Sequence, residues 1–323
     1  MIISFFLLLF SILLIAKGSD FLTDSLVPLA KRWQTSIISL GLILVSVAVS
    51  LPEIFVSVFS ALKGFPDLGL GVVLGSVVVN IGLMIGISAI LKPLRVTLHM
   101  ILRDGIFSIV VPILVLSMSG DGVITRSEGL TLFLLFIPYL ANVFLQERKI
   151  SLEEKEVLKS HSKRKLSLVG FQLLKLSPGG GAFILGIGLL LTGAQIFSDQ
   201  LINIARISRM GDIFTGLVIG AIGTSIPNIA SSISATKKGL TEVAVSETLG
   251  SNIFTLLVTL GTLALVRPVV VSSQWIIIDI PLIILMSLLF FLFMLSGRSI
   301  SKREGYSLLF SYFLIVALQI IGR

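Results

Sequence analysis

The sequence predicts an all-α membrane protein with ten transmembrane helices, arranged as two inverted-topology repeats of five helices each. Three observations support this fold: an apolar composition, long apolar runs separated by short polar segments, and an internal repeat. Hydrophobic residues make up 55% of the 323 residues and charged residues only 13%, whereas a soluble domain carries roughly a quarter charged residues. The composition excludes an ordinary soluble domain and makes the lipid bilayer the expected surroundings of the chain.

The apolar runs recur at about the 20-residue length that a helix needs to cross the hydrocarbon of a bilayer. The predicted helices span 2–29, 37–62, 68–91, 99–118, 127–146, 179–206, 212–236, 241–265, 273–296 and 304–321. The long polar stretch 147–178 separates a first five-helix repeat, 1–146, from a second, 179–323. We expect this stretch to be a solvated cytoplasmic linker, acting either as a passive connector or in regulation.

The net charge of +8 does not indicate a nucleic-acid partner, because the Lys and Arg residues lie at the ends of apolar segments. Such residues are enriched in cytoplasmic loops of membrane proteins. With the linker in the cytoplasm, the loops near Lys31, Lys92, Lys237 and Lys302 lie on the same side. This arrangement predicts that both termini face outward, and the short chain is typical of a prokaryotic inner membrane. The chain has no cysteine, which excludes disulfides and thiol chemistry.

An internal repeat appears when the chain is shifted by 175 positions. Scarce or positional residues then coincide without a gap: Gly18 with Gly193, Asp24 with Asp199, Gly41 with Gly216, Ser50 with Ser225, Pro52 with Pro227, Lys63-Gly64 with Lys238-Gly239, Gly75-Ser76 with Gly250-Ser251, and Pro93 with Pro268. Five helices separate equivalent positions, so the second copy enters the membrane from the opposite side. Inverted repeats of this kind are typical of secondary transporters, which bind ions near the midplane where the repeats meet.

Two segments of each repeat carry polar residues at membrane depth: 46–64 and 74–82 in the first repeat, 221–239 and 249–257 in the second. A proline inside a helix removes a hydrogen bond and clashes with the carbonyl one turn earlier. Pro52 and Pro227 would therefore free carbonyls that can bind a cation. These are the carbonyls around Ser46, Val49, Ala221 and Thr224.

Hydroxyl groups would add hard oxygen ligands, of the kind that calcium prefers. They are those of Ser50, Thr224 and Ser225. The alternative is a kinked helix whose Ser and Thr side chains bond back to their own backbone. Glu53 is the decisive acid, because a carboxylate inside the membrane is costly unless it is paired or bound to an ion.

The segments GTSIP (223–227) and GSNIF (250–254) are similar to the alpha-repeat motifs of the cation/calcium exchanger superfamily. The resemblance covers both repeats and nearly the whole chain. It implies that Glu53 is the ion-binding glutamate of the first repeat. It also implies that Ser76 and Asn80, which share one helical face, are ligands from the next helix, with Ser251 as the serine of the second repeat.

The second repeat departs from the family pattern at two positions. Asn228 stands where the resemblance implies a second acid, and Thr255 stands at the later asparagine or aspartate position. A neutral amide oxygen is a weaker partner for a divalent cation in a low dielectric. Glu247 shares a helical face with Ser251 and Thr255 and could restore a second negative charge about one turn toward the cytoplasm. The alternative is that Glu247 is solvated at the mouth of its helix.

The resemblance implies a cation antiporter that uses alternating access, with sodium and calcium as the exchanged ions and no cofactor. The loss of the second acid predicts an altered stoichiometry. One alternative is an exchanger coupled to protons or monovalent cations, in which Glu53 takes up the proton. Another is a non-transporting or channel-like relative. No catalytic residue set supports an enzyme, and the sequence leaves the oligomeric state open.

Overall fold

The computed structural model describes residues 2–32, 39–147, 179–208 and 211–321. The predicted linker 147–178 lies almost entirely outside these ranges. The chain forms helices of nearly the predicted bounds. They are α1 Ile2–Arg32, α2 Ser39–Leu62, α3 Pro66–Leu91, α4 Leu98–Met118, α5 Arg126–Glu147, α6 Gly180–Ser208, α7 Asp212–Lys237, α8 Thr241–Val266, α9 Trp275–Leu295 and α10 Lys302–Ile321.

Seven helices contain an apolar span long enough to cross a membrane, judged over the described residues by length and hydropathy. They are α1, α3, α4, α6, α7, α8 and α9, while α2 offers a shorter apolar stretch, Ser46–Leu62. These spans agree with the prediction of a helical membrane protein. The finer prediction of ten membrane-crossing helices stays a prediction.

Within the described residues, five helices contain one π-helical turn each, which the sequence did not predict. The π turns are Asn80–Ile85 in α3, Ile101–Gly105 in α4, Gly216–Gly220 in α7, Thr255–Thr259 in α8 and Trp275–Asp279 in α9. A π turn shifts the side chains that follow it around the helix axis, and such turns are frequent at functional sites. Two of them begin at Asn80 and Thr255, which are predicted ion ligands.

In the described part of the chain, two short antiparallel strand pairs link connections between helices, a detail that the sequence did not predict and that leaves the chain a helical membrane protein. Strand β1, Leu94–Arg95, pairs with β4, Ser299–Ile300, and β2, Val123–Ile124, pairs with β3, Val269–Val270. Each strand has only two residues, because the pairs form where two interhelical connections meet. No periodic pattern in two residues could have predicted them.

The helices before residue 147 interleave with those after residue 179. Helix α1 packs against α6, α4 against α9 and α5 against α8, while α3 packs against both α7 and α10. Burial separates the central helices from the outer ones: 89% of the apolar window of α3 and 78% of that of α8 is buried, against 33% for α6 and α9. Helices that are apolar all round are typical of such interior positions.

Two glycines end α2 and α7 in the same way. Gly64 and Gly239 have φ values of +90° and +82°, a region open to glycine at little steric cost. At each end the following residue donates its backbone N–H to a carbonyl five residues earlier, from Phe65 to Ser60 and from Leu240 to Ala235. This is the hydrogen bonding of a Schellman motif, which stops the helix and turns the chain into the next one.

Candidate ion-binding site

All thirteen residues predicted to surround an ion are buried in the interior of the helix bundle. None exposes more than 4% of its surface. They come from α2 (Ser46, Val49, Ser50, Glu53), α3 (Ser76, Asn80), α7 (Ala221, Thr224, Ser225, Asn228) and α8 (Glu247, Ser251, Thr255). These four helices therefore bring the polar segments of both halves of the chain together.

Glu53 provides the carboxyl group at the centre of this cluster. Its Oε1 accepts hydrogen bonds from Ser225 Oγ and from Asn228 Nδ2, both at 3.4 Å. Both donors lie on α7, so the carboxylate of the first half is held by the second half. Asn228 occupies the position equivalent to Glu53, and the two equivalent side chains face each other directly.

Ser251 links the remaining polar side chains to this pair. Its Oγ lies 2.6 Å from Ser50 Oγ and accepts hydrogen bonds from Asn228 Nδ2 at 3.1 Å and Asn80 Nδ2 at 3.5 Å. Side chains from all four helices thus form one hydrogen-bonded cluster around the carboxylate of Glu53. We call the cluster of Ser50, Glu53, Asn80, Ser225, Asn228 and Ser251 the central cluster.

Several oxygen atoms in and beside the central cluster accept or donate no hydrogen bond within the described part of the chain. They are Glu53 Oε2, Ser76 Oγ, Asn80 Oδ1, Asn228 Oδ1 and Thr255 Oγ1. The described ion pairs join Lys17 to Asp20, Lys63 to Asp199 and Arg103 to Asp104, so none of them neutralises Glu53. A buried carboxylate surrounded by neutral oxygens has the ligand chemistry of a hard-cation site.

The site is poor in acids for a divalent ion. Across the described residues, no group of three or more His, Cys, Asp or Glu side chains is close enough to hold a metal ion. The central cluster therefore offers one carboxylate, amides and hydroxyls. Such a site has a formal charge near −1 when Glu53 is ionised.

The remaining predicted ligands lie at the margin of the central cluster. Thr224 donates its hydroxyl back to the carbonyls of Gly220 at 3.0 Å and Ala221 at 3.3 Å, as the kinked-helix alternative predicts. Ser46 lies against α8, where its Oγ is 3.1 Å from the place a Cβ on Gly250 would occupy. Val49 and Ala221 were predicted to act through their carbonyls, and their role stays a prediction.

Glu247 is 1% exposed, so the alternative of a solvated side chain at the helix mouth is wrong. Its Oε2 accepts a hydrogen bond of 2.8 Å from Ser231 Oγ. Its Oε1 accepts none from the described residues. Glu247 is four residues before Ser251 on α8, and Ser231 is three residues after Asn228 on α7, so this pair lies beside the central cluster.

The sequence did not predict two further residues near the site. Asn252 Oδ1 accepts a hydrogen bond of 3.0 Å from Asn80 Nδ2, and Ser231 holds Glu247. Asn252 stands inside the GSNIF segment, so the motif itself could have pointed to it. Ser231 offered no such signal, because its contact depends on how α7 and α8 are aligned.

A surface pocket of about 300 Å³ lies away from the central cluster, where α3, α7 and α9 begin. Its lining contains none of the predicted ion ligands. It is formed by Asp67, Gly211, Asp212, Ile213, Ser272, Gln274 and Trp275. The two acids of this pocket lie at the N-terminal ends of α3 and α7.

Comparison with known proteins relates the chain to transporters. The family model described as "Sodium/calcium exchanger protein" matches residues 3–145 and again residues 179–321. The two matches bracket the predicted linker and together cover most of the chain. The same model therefore matches each of the two predicted repeats.

Relatives of similar length extend this result. The chain is 27% identical to the sodium/calcium exchanger MaX1 of Methanosarcina acetivorans, over 98% of this chain and 99% of that protein. It is 31% identical to the inner membrane protein YrbG of Escherichia coli, over 83% and 81%. Among solved structures, the sodium-calcium exchanger NCX_Mj matches with a TM-score of 0.66 at 26% identity, over 98% of both chains. The H+/Ca2+ exchanger CAX shares the fold, with a TM-score of 0.74 at 17% identity, over 98% of this chain and 86% of that one.

Proposed function

The chain belongs to the sodium/calcium exchanger protein family and is an integral, multi-pass membrane protein, and from this premise we propose that it is a secondary cation antiporter. It would let sodium enter down its gradient and expel calcium by alternating access. The observation that carries this proposal is the central cluster, in which Glu53 of one half meets Ser225 and Asn228 of the other. Helices from opposite halves that share one ion can exchange it between the two faces of the membrane as they move.

The proposal includes ten membrane helices in two inverted five-helix repeats, 1–146 and 179–323, with the site at their interface. Equivalent close contacts support this arrangement. Gly86 of α3 meets Gly305 of α10, and Gly261 of α8 meets Gly129 of α5. Gly86 and Gly261 are 175 residues apart, and their partners are 176 apart. A two-fold relation between the halves predicts such duplicated contacts.

The strand pairs repeat in the same manner. Leu94 pairs with Ile300, and its equivalent Val269 pairs with Ile124. In the proposed topology both termini face outward, so the connections carrying β1 and β4 lie inside and those carrying β2 and β3 lie outside. Each strand pair then joins two connections on one side of the membrane. A prokaryotic inner membrane is the proposed location, for which the inner membrane protein YrbG of Escherichia coli provides the precedent.

The number of charges exchanged per transport cycle is expected to differ from that of an exchanger whose site has two central acids. Asn228 and Thr255 replace acidic or amide ligands, so the central cluster contributes one negative charge from Glu53. An ion can shift the protein between its two faces only through its differential affinity for them. A second candidate function is therefore exchange coupled to protons or monovalent cations, with Glu53 taking up the proton. The same two replacements favour it.

Flux measurements in sealed proteoliposomes test both candidates. We expect uptake of labelled calcium to be driven by an outward sodium gradient, and Glu53→Gln to abolish it. If a pH gradient drives the uptake and a sodium gradient does not, the second candidate replaces the first. Calcium uptake that ignores both gradients, or that survives Glu53→Gln at the same rate, would refute coupled exchange through this site.

A further inference from the structure

Glu247 and Ser231 form a polar pair between α7 and α8 that the central cluster does not include. Asn228 with Ser251 and Ser231 with Glu247 are two successive contacts along the same antiparallel helix pair. Four residues of helix separate Ser251 from Glu247, a distance of roughly 6 Å along the axis. The second contact lies toward the connection Lys238–Leu240, on the proposed cytoplasmic side.

The first half of the chain has no such pair. The positions equivalent to Ser231 and Glu247 are Val56 and Val72, and both valines are fully buried. In the first half the acid is Glu53, at the position equivalent to Asn228, and the positions equivalent to Ser231 and Glu247 are apolar. In the second half the position equivalent to Glu53 is the neutral Asn228. The acid is Glu247, which belongs to the next contact along the helix pair. Each half thus contributes one buried carboxylate to the group of helices α2, α3, α7 and α8, Glu53 from the first half and Glu247 from the second, at different depths.

None of the described ion pairs involves Glu247. Its surroundings therefore offer oxygen ligands without a paired positive charge. Oε2 contacts Ser231 Oγ at 2.8 Å, and Oε1 accepts no hydrogen bond from the described residues. A buried carboxylate left this way is costly unless a cation or proton neutralises it. Ser231 Oγ donates its hydrogen and keeps lone pairs that can face a cation.

We propose that Glu247 and Ser231 form a second cation-binding site, for a monovalent cation such as sodium, one helical turn from the central cluster. The proposal rests on the proposed antiporter function, and it specifies where a second ion binds. A monovalent ion matches a single carboxylate, since the pair is then neutral. A divalent ion at the same place would leave a net positive charge in a low dielectric, which is unfavourable.

Equilibrium binding of radiolabelled sodium to the purified full-length chain in nanodiscs tests this site without requiring transport. We expect the wild-type chain to bind sodium at two sites and Glu247→Gln to lose one of them. Ser231→Ala should weaken that site roughly tenfold, as expected for the loss of about 1.4 kcal/mol. Glu53→Gln should remove central binding and leave the Glu247 site.

Two control variants match these changes on the same helices. Ser232→Ala removes the neighbouring hydroxyl, which contacts Ser88 Oγ at 2.9 Å instead of Glu247. Glu242→Gln removes a charge from the first turn of α8. Both should bind as much sodium as the wild type. The site is overturned if Glu247→Gln binds as many sodium ions as the wild type, as it would if a proton alone neutralised Glu247.

The two proposals fail in different ways. If the wild-type chain binds sodium at Glu247 but exchanges no cation in proteoliposomes, the antiporter function fails and the site stands. If exchange is coupled to sodium but Glu247→Gln leaves the number of bound ions unchanged, the function stands and the site fails. Because Ser231→Ala removes only a hydroxyl, it provides the second measurement should Glu247→Gln not fold.

Discussion

Glu53 and Asn228 decide at the scale of single residues what the central cluster can bind. The two side chains are equivalent under the internal repeat and contact each other at 3.4 Å. An amide oxygen carries a partial charge, whereas a carboxylate carries a full one, and the difference is large where water is excluded. The contact between Glu53 and Asn228 therefore suits a cation of lower charge than a contact between two acids would.

Asn228→Glu should raise the affinity for calcium, because it would place a second carboxylate beside Glu53. We expect calcium to bind at least about tenfold more tightly, a gain of about 1.4 kcal/mol. Without calcium the two carboxylates would repel each other, so the variant should unfold at a lower temperature than the wild type. Calcium titrations monitored by thermal unfolding measure both effects, since a ligand stabilises only a state that it binds.

Asn228→Gln is the matched control for this substitution. It has the length of glutamate and no charge, so it separates the effect of charge from the effect of size. If Asn228→Glu and Asn228→Gln respond to calcium alike, Asn228 does not face the bound ion. That result would also remove the argument for an altered stoichiometry.

The central residues could be predicted from the sequence because they stand in two copies of one motif. Pro52 with Glu53 and Pro227 with Asn228 coincide under the repeat, and this pointed to Ser225 and Asn228 as partners of Glu53. The contact between Ser231 and Glu247 could not be predicted. It depends on the alignment of α7 against α8, and its counterpart in the first repeat is a pair of valines.

At the scale of elements, the crossing of α3 and α7 requires glycine. A Cβ on Gly71 would lie 2.2 Å from the carbonyl oxygen of Ile213, and a Cβ on Gly216 would lie 2.2 Å from that of Leu68. Both distances are to backbone atoms, which cannot move aside as a side chain can. Close backbone contact at small residues is a usual way for membrane helices to associate. This crossing holds the two halves of the chain together near the starts of α3 and α7.

Gly71→Ala should therefore destabilise the protein, by about 1–3 kcal/mol as for other overpacked positions. Thermal unfolding of the purified protein in detergent measures the loss. Gly188→Ala on α6 is the matched control, because a Cβ there would meet no atom within 4 Å. The control should unfold at the wild-type temperature or slightly above it, since alanine favours a helix more than glycine does. Equal unfolding temperatures for the two variants would contradict the close crossing.

The ends of the helices were predicted well because charged and turn residues mark them. Gly64 and Gly239 stand where α2 and α7 end, and Lys92 and Arg267 cap α3 and α8. The π turns could not be predicted, because an apolar helix with one π turn is built from the same kinds of residue as a regular apolar α-helix. The strand pairs depend on which connections meet in space, and that is decided by the packing of whole helices.

For the whole molecule, the proposed inverted topology would place equivalent connections on opposite sides of the membrane. Lys92 and Arg267 form a useful pair for testing it, since they are 175 residues apart. Each follows the last residue of a helix, is exposed, and has an extended backbone with φ near −150°. In the proposed topology Lys92 faces the cytoplasm and Arg267 faces outward. The two positions are thus closely matched in structure and differ in the side they face.

Single cysteines at these positions report their side directly, because the chain has no cysteine of its own. We expect a membrane-impermeant maleimide added to intact cells to label Arg267→Cys, and to label Lys92→Cys only after permeabilisation. The cysteine-free wild type controls for background labelling. Labelling of both variants from the same side would contradict the inverted repeat. Labelling of Lys92→Cys alone from outside would keep the inverted repeat and reverse the orientation, which would place both termini in the cytoplasm and the Glu247 site toward the outer face.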